Sequence, residues 1–339
     1  MGPSLQMRPM RATCSLLVVA MIGCGGGGDG DDDGMTEPVT LAFTAPTAGA
    51  ALTRDVLEPT DGWIAAPLAV QLATTGAIAT IELTVGDAAL GAADATGGFD
   101  GYLVELGPTT ITATAKDAAG ATLATATVDV DVVDPELATC RDWLDHYGVV
   151  YTVGPANQGV SDPVTVTTPI NGVPFRYLGN TTPRARFFMD CTLARSLVEA
   201  APHWRSRGIV EVQDIGVYNY RCIGSGTPPN CPSGLSQHAY AKAIDLARFV
   251  HGDGTTYTVE TDWVIDPDSE DTCTAPTEDA KDGWLHQVIC ALKAADVWTI
   301  ALTPNYNAAH RDHFHVDLTA GSDFITKLRG ALDVGPDDE

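Results

Sequence analysis

The sequence predicts two folded bodies in series, an all-β sandwich and then an α+β domain, behind a segment that directs export. Three observations carry this reading. Between residues 39 and 134 short apolar runs alternate with polar residues at period two, and neither His nor Cys occurs there. From Cys140 to His315 the chain gathers all of its histidines and six of its cysteines, and helix-like and strand-like patterns interleave. Before residue 39 lie a basic flank, a short apolar run and a Gly/Asp tract.

The amino terminus comes first. Arg8 and Arg11 precede an unbroken apolar run from Leu16 to Ile22, too short to span a bilayer but matched to the core of a signal peptide. The run closes on Met21-Ile22-Gly23-Cys24, and a small residue directly before Cys resembles the bacterial lipobox. That resemblance implies removal of residues 1–23 and a lipid anchor on Cys24. Gly25 rather than Asp follows, which in lipoproteins favours the outer membrane, facing the periplasm or the cell surface. Residues 24–38 read as a flexible Gly/Asp-rich tether.

Length and charge set outer limits. A chain of 339 residues suits two domains plus extensions. Its 19 Lys+Arg against 44 Asp+Glu give a formal net charge of −25, which would repel a phosphate backbone and argues against nucleic-acid partners. Anionic lipid headgroups are disfavoured for the same reason, so contact with a membrane is expected through the anchor.

Strands of the first body are expected at Val39–Phe43, Leu68–Leu72, Ile81–Val85, Thr109–Thr114 and Thr122–Val133, separated by Gly-, Asp- and Pro-containing turns. Leu106 to Gly120 resembles the closing hairpin of bacterial immunoglobulin-like domains, so residues 39–134 are expected to form an immunoglobulin-like sandwich. A domain whose only cations are Arg54 and Lys116 has little to do chemistry with, and it reads as a spacer or adhesive module. Val132 to Glu136 reads as the linker.

In the second body, residues 138–330, helices are expected at Cys191–Ala201 and Thr277–Ala295. Strands are expected at Ile209–Val217, Ala243–Phe249, Tyr257–Thr261 and Phe314–Leu318. Cys140, Cys191, Cys222, Cys231, Cys273 and Cys290 are even in number in an exported chain, which favours disulfides. No CxxC pair offers a thiolate zinc site. Cys222 and Cys231 bracket a short Gly/Pro-rich loop and are the preferred pair.

The chemistry concentrates in two motifs. Ser236-Gln-His238 to Asp245 is His-x6-Asp, and His310-Arg-Asp-His313-Phe-His315-Val-Asp317 places two histidines on one face of an extended strand. His238, Asp245 and His315 together offer two nitrogens and one oxygen, a ligand set that suits one Zn²⁺ and leaves a fourth position for water. His146, His203, His251 and His286 lie outside these motifs and read as ordinary surface or core residues.

Ser-x-His-x6-Asp followed by His-x-His is similar to the zinc metallopeptidases of the D-alanyl-D-alanine carboxypeptidase and hedgehog group. More closely, the domain resembles the extensin-like C-terminal family. Gly159–Val164, Met189-Asp-Cys191, Gly216–Cys222, Ser236–Leu246, Trp284–Cys290, Thr303–Asn307 and His310–Asp317 carry that resemblance. It implies a zinc-peptidase-like fold, Zn²⁺ as cofactor and peptidoglycan peptides as substrate, with hydrolysis of a D-alanyl amide by zinc-activated water. It also implies a base near the last ligand, for which Asp312, His313 and His310 are candidates. Strand alternation favours His313, because it turns Asp312 away from the face of His315. Arg221 is implied as a clamp on the substrate carboxylate or oxyanion, and Ser236 as a substrate contact. Three departures from the family stand out, one being that Arg221 precedes Cys222 where the family places it after. Ala241 replaces a usual Gly, and no Cys begins the opening segment, which implies that Cys140 supplies the partner of Cys191. The other reading is a non-catalytic wall-binding or structural lipoprotein that keeps the metal without turnover.

Overall fold

The computed structural model describes residues 38–265 and 272–325. The signal, Cys24, the tether and the last residues of the second domain lie outside them.

Residues 40–133 form two facing β-sheets. In the four-stranded sheet, Ile64–Thr75 pairs with Thr40–Ala45, Val56–Leu57 and Gly98–Leu103. The five-stranded sheet runs Ala50–Thr53, Thr122–Val133, Gly107–Lys116, Thr80–Val85, Ala88–Ala92. Period-two burial is clearest on Ile64–Thr75, where Leu68, Val70 and Leu72 point inward and the residues between them point out. They meet Leu83, Ile111, Ala113, Val130 and Val132 of the other sheet in one apolar core. All five expected strands are present, and Gly107–Lys116 and Thr122–Val133 form the expected hairpin. Four further strands lack the alternation that would reveal them. Val132 and Val133 are not linker, because they pair in parallel with Leu52 and Thr53.

The second body centres on a seven-stranded sheet ordered Phe175–Tyr177, Ile209–Gly216, Ala243–His251, Phe314–Asp317, Ile300–Leu302, Phe324–Ile325, with Thr256–Thr258 on the flank of Ala243–His251. A three-stranded sheet, Tyr151–Val153, Pro163–Thr167 and Arg186–Asp190, adjoins it. Helix Cys191–Arg205 starts where the Asp190 carboxylate accepts the Thr192 N–H, and it buries Leu193, Ala194, Leu197 and Val198 at helical spacing. Helix Ala280–Ala294 starts three residues later than expected, because Asp279 caps it by accepting from Lys281 and Asp282. It buries Leu285, Val288, Ile289 and Leu292. The expected strand Tyr257–Thr261 ends at Thr258. There the Asp262 carboxylate accepts the Thr258 N–H and the chain turns into a short helix, Val259–Asp262.

Three disulfides brace this body: Cys140–Cys191, Cys222–Cys231 and Cys273–Cys290. The pairing preferred from the loop and the one implied by resemblance are both present. No helix among the described residues is long and apolar enough to cross a membrane.

The two bodies are docked. Tyr147 Oη donates to the Arg54 carbonyl at 2.5 Å, Asn171 Nδ2 to the Gly62 carbonyl at 2.8 Å, and Arg205 to the Thr60 carbonyl at 2.5 Å. Leu57 and Ile64 pack against the core of the second body, and Trp63 meets His203 edge-on at 4.7 Å. The Glu58 carboxylate holds this loop in shape by accepting from the amides of Thr60, Asp61, Gly62 and Trp63. The sandwich is therefore a fixed extension of the second body.

Candidate metal centre

The two motifs meet in the middle of the large sheet. A single 3₁₀ turn, Gln237–Tyr240, carries His238, and Ser236 Oγ caps it by accepting the His238 N–H at 3.3 Å. Ala241 then takes φ 53°, ψ 32°, a left-handed conformation that strains a residue with a Cβ. This reversal feeds the chain into Ala243–His251. Asp245 on that strand lies directly opposite His315 on Phe314–Asp317, and directly opposed residues share a face.

The result is a compact cluster. His238 Nε2 lies 3.1 Å from Asp245 Oδ1 and 3.1 Å from His315 Nδ1, and His315 Nδ1 lies 3.0 Å from Asp245 Oδ1. The outer nitrogens have other partners. His238 Nδ1–H donates to the Val217 carbonyl at 2.7 Å, and His315 Nε2–H donates to Asp317 Oδ2 at 3.1 Å. With the outer nitrogens engaged, His238 Nε2, His315 Nδ1 and the Asp245 oxygen converge on one point, where positive charge, a proton or a metal ion, is needed to hold them together. A tetrahedral ion bonded at about 2.0–2.2 Å spaces its ligand atoms roughly 3.3–3.6 Å apart, which a slight rotation of these side chains would meet. The residues fit Zn²⁺.

The electrostatics favour positive charge. Burial opposes charge on His315, yet Asp245 and Asp317 outweigh it and push its pKa up to about 9. Burial likewise opposes charge on Asp245, but the His238 and His315 imidazoles hold its carboxyl well below the usual range. Among the described residues the other close cluster of potential ligands, Cys140, Asp162 and Cys191, has its two sulfurs spent in a disulfide.

The candidate bases separate clearly. His313 is buried, with Nε2 3.5 Å from Asp245 Oδ1. Its Nδ1–H donates to Asp312 Oδ1 at 2.7 Å, and Asp312 is half exposed behind it. The strand starts at Phe314, as expected, so His313 lies just ahead of it and lines the cleft together with His315. His310 also faces the cleft. Its Nδ1–H donates to Asn307 Oδ1 at 2.7 Å, and burial, with the His315 and His313 charges adding, pushes its pKa down to about 3. Arg221 is half-buried in the cleft wall, and no carboxylate among the described residues pairs with its guanidinium. Ser236 lines the same wall, with its oxygen engaged in capping.

Asp317, Asn307 and the Val217 carbonyl orient the imidazoles and were not assigned roles from sequence. His-x-Asp on a strand was a usable signal for Asp317. A backbone carbonyl leaves none.

A β-sandwich fixed to a mixed α/β domain with a His-Asp-His cluster at its centre is the class that fold and site define. The chain belongs to the extensin-like family: the model of the extensin-like protein C-terminus matches residues 138–325. No curated protein matches it. Among solved structures, the fibronectin(III)-like modules of Clostridium thermocellum CbhA are 17% identical, with 29% of this chain and 100% of that one covered and a TM-score of 0.24. The PKD domain of human KIAA0319 is 14% identical, covering 33% of this chain and 97% of that one at a TM-score of 0.19. Parabacteroides merdae β-glucuronidase is 12% identical, covering 39% and 16% at 0.21. At these values the likenesses carry no functional information.

Proposed function

We propose that the chain is a lipid-anchored, zinc-dependent peptidase acting on peptidoglycan peptides, with hydrolysis of a D-alanyl amide as its reaction. The observation that carries this is the cluster itself: three ligand atoms mutually 3.0–3.1 Å apart, with both imidazoles fixed from behind. In this reading the second body is zinc-peptidase-like. The sandwich is an immunoglobulin-like module, a proposal supported by its facing sheets and hairpin. Cys24 anchors the chain in the outer membrane.

His238, Asp245 and His315 would hold the ion. A bound Zn²⁺ supplies Lewis acidity toward a carbonyl and toward water. His313 accepts the proton of the attacking water at Nε2, since its Nδ1–H is committed to Asp312, and passes it to the leaving amine. Asp312 orients that imidazole and offsets its charge. Arg221 donates to the substrate oxygen that gains negative charge. His310, kept neutral by burial, shapes the wall beside His313.

The test compares His313→Ala with Asp312→Ala, reading zinc content and cleavage of wall peptides. His313→Ala should stay zinc-replete and lose roughly 10²–10⁴-fold in rate, and Asp312→Ala should lose less. An inactive Asp312→Ala beside an active His313→Ala would reverse the assignment. A wild-type protein that holds zinc and cleaves nothing would be the non-catalytic wall lipoprotein instead.

A further inference from the structure

The cleft does not end at the cluster. Two cavities of about 480 Å³ and 540 Å³ adjoin there, and Arg221 and Asp245 line both. His313 and His315 open into the first, beside Tyr306 and His310. His238 opens into the second, whose wall is aromatic: Tyr177, Phe187, Phe188 and Tyr218. Tyr177 is 40% exposed and open to a ligand in the cavity. Arg184 stacks over Tyr177 and Phe187 at 5.2 and 4.5 Å and is pinned by two bonds to the fully buried Asp214. Phe188 and Tyr218 meet edge-on at 5.5 Å, and Tyr218 Oη donates to the Gln158 carbonyl. The aromatic wall is thus held rigid before any ligand arrives.

The two ligand imidazoles open to different cavities, so the cluster sits at a junction and not at the bottom of a pocket. We infer that the site takes an internal amide of an extended peptide, a cross-link rather than a terminal D-alanine. One flank of the peptide lies in the imidazole-lined arm and the other lies along Tyr177, Phe188 and Tyr218. Arg221, at the junction, then stands beside the scissile bond instead of capping a terminal carboxylate. This inference rests on the peptidase reading and names its substrate class.

The experiment uses the full chain, zinc-loaded, with two peptides. One carries three residues on each side of a D-alanyl amide, and the other ends one residue beyond it. Calorimetry on non-cleavable analogues, with that amide reduced to a methyleneamine, reads binding, and product analysis on the natural peptides reads cleavage. The extended analogue should bind about tenfold tighter, the scale of one good aromatic contact. Tyr177→Ala should erase that advantage while leaving the short analogue's affinity unchanged, the protein staying folded with a slightly lower melting temperature from the lost Arg184 contact. Cleavage should fall on the internal amide. Equal affinities that Tyr177→Ala leaves unchanged, or cleavage of the short peptide alone, would overturn the inference while the peptidase reading stood. Failure to bind or cleave either peptide would overturn both.

Discussion

The sandwich fills its core with apolar side chains alone, whereas the second body buries five histidines, and every buried polar or charged side chain among the described residues lies at Asp190 or beyond. Both bodies are sheet-based, so the difference is not one of architecture. Burying an imidazole or a carboxylate costs free energy unless its hydrogen bonds are replaced. The second body offsets that cost for four of them with a dedicated partner each: Val217 for His238, Asp317 for His315, Asn307 for His310 and Asp312 for His313. The fifth, His286, is bonded at Nδ1 to the Asp282 carbonyl, and its buried Nε2 has no hydrogen-bond partner among the described residues. A core of the first kind is held by apolar contact alone, while one of the second kind holds polar groups in fixed orientations.

Substitutions can break or sharpen this contrast. The largest effect is expected at the cluster. His238→Ala, Asp245→Ala or His315→Ala should abolish both zinc binding and cleavage, measured by metal analysis and product release. Retained stoichiometric zinc in any of the three would remove that residue from the ligand set. In the sandwich, Leu83→Ala should cost about 2–5 kcal/mol of stability and leave zinc content unchanged, read by denaturant melts beside metal analysis. Zinc lost along with Leu83 would mean the two cores are not separate in kind. Asp317→Asn removes charge but little volume, and it should weaken zinc binding roughly 10–100-fold in a competition titration.

The smallest effect concerns the seam between the bodies. Burial lowers the His203 pKa to about 4, with the Arg207 charge adding to it, from an ordinary value of 6.5. The folded protein therefore keeps His203 neutral at a pH where the unfolded chain is protonated. Its contribution to stability is present above pH 6.5 and is lost as pH falls toward 4. Wild type should thus lose more melting temperature than His203→Gln between pH 7 and 4.5. Parallel losses would place the seam's pH response elsewhere.

The residues announce the sandwich and the His-Asp-His cluster far more plainly than they announce the support around them. Leu68, Val70 and Leu72 reveal a strand because burial on one face imposes alternation. Ala50–Thr53 and Ala88–Ala92 are small or edge strands with little to bury, and they show no such pattern. His238, Asp245 and His315 were legible because their chemistry is rare and their spacing compact. The aromatic arm was not, since Tyr177, Phe188 and Tyr218 come from three separate strands and loops that only the tertiary fold gathers. The seam was equally hidden, because its bonds to Arg54, Thr60 and Gly62 end on backbone carbonyls, which every residue carries.

That seam also separates two meanings of the word domain. The family match begins at residue 138, yet the packing unit reaches back to Leu57. A protein cut at the family boundary would leave the Tyr147 hydroxyl without its carbonyl, would leave the Asn171 amide only its bond to Val198, and would uncover the apolar surface beneath Leu57 and Ile64. What is inherited as one piece and what folds as one piece end at different residues in this chain.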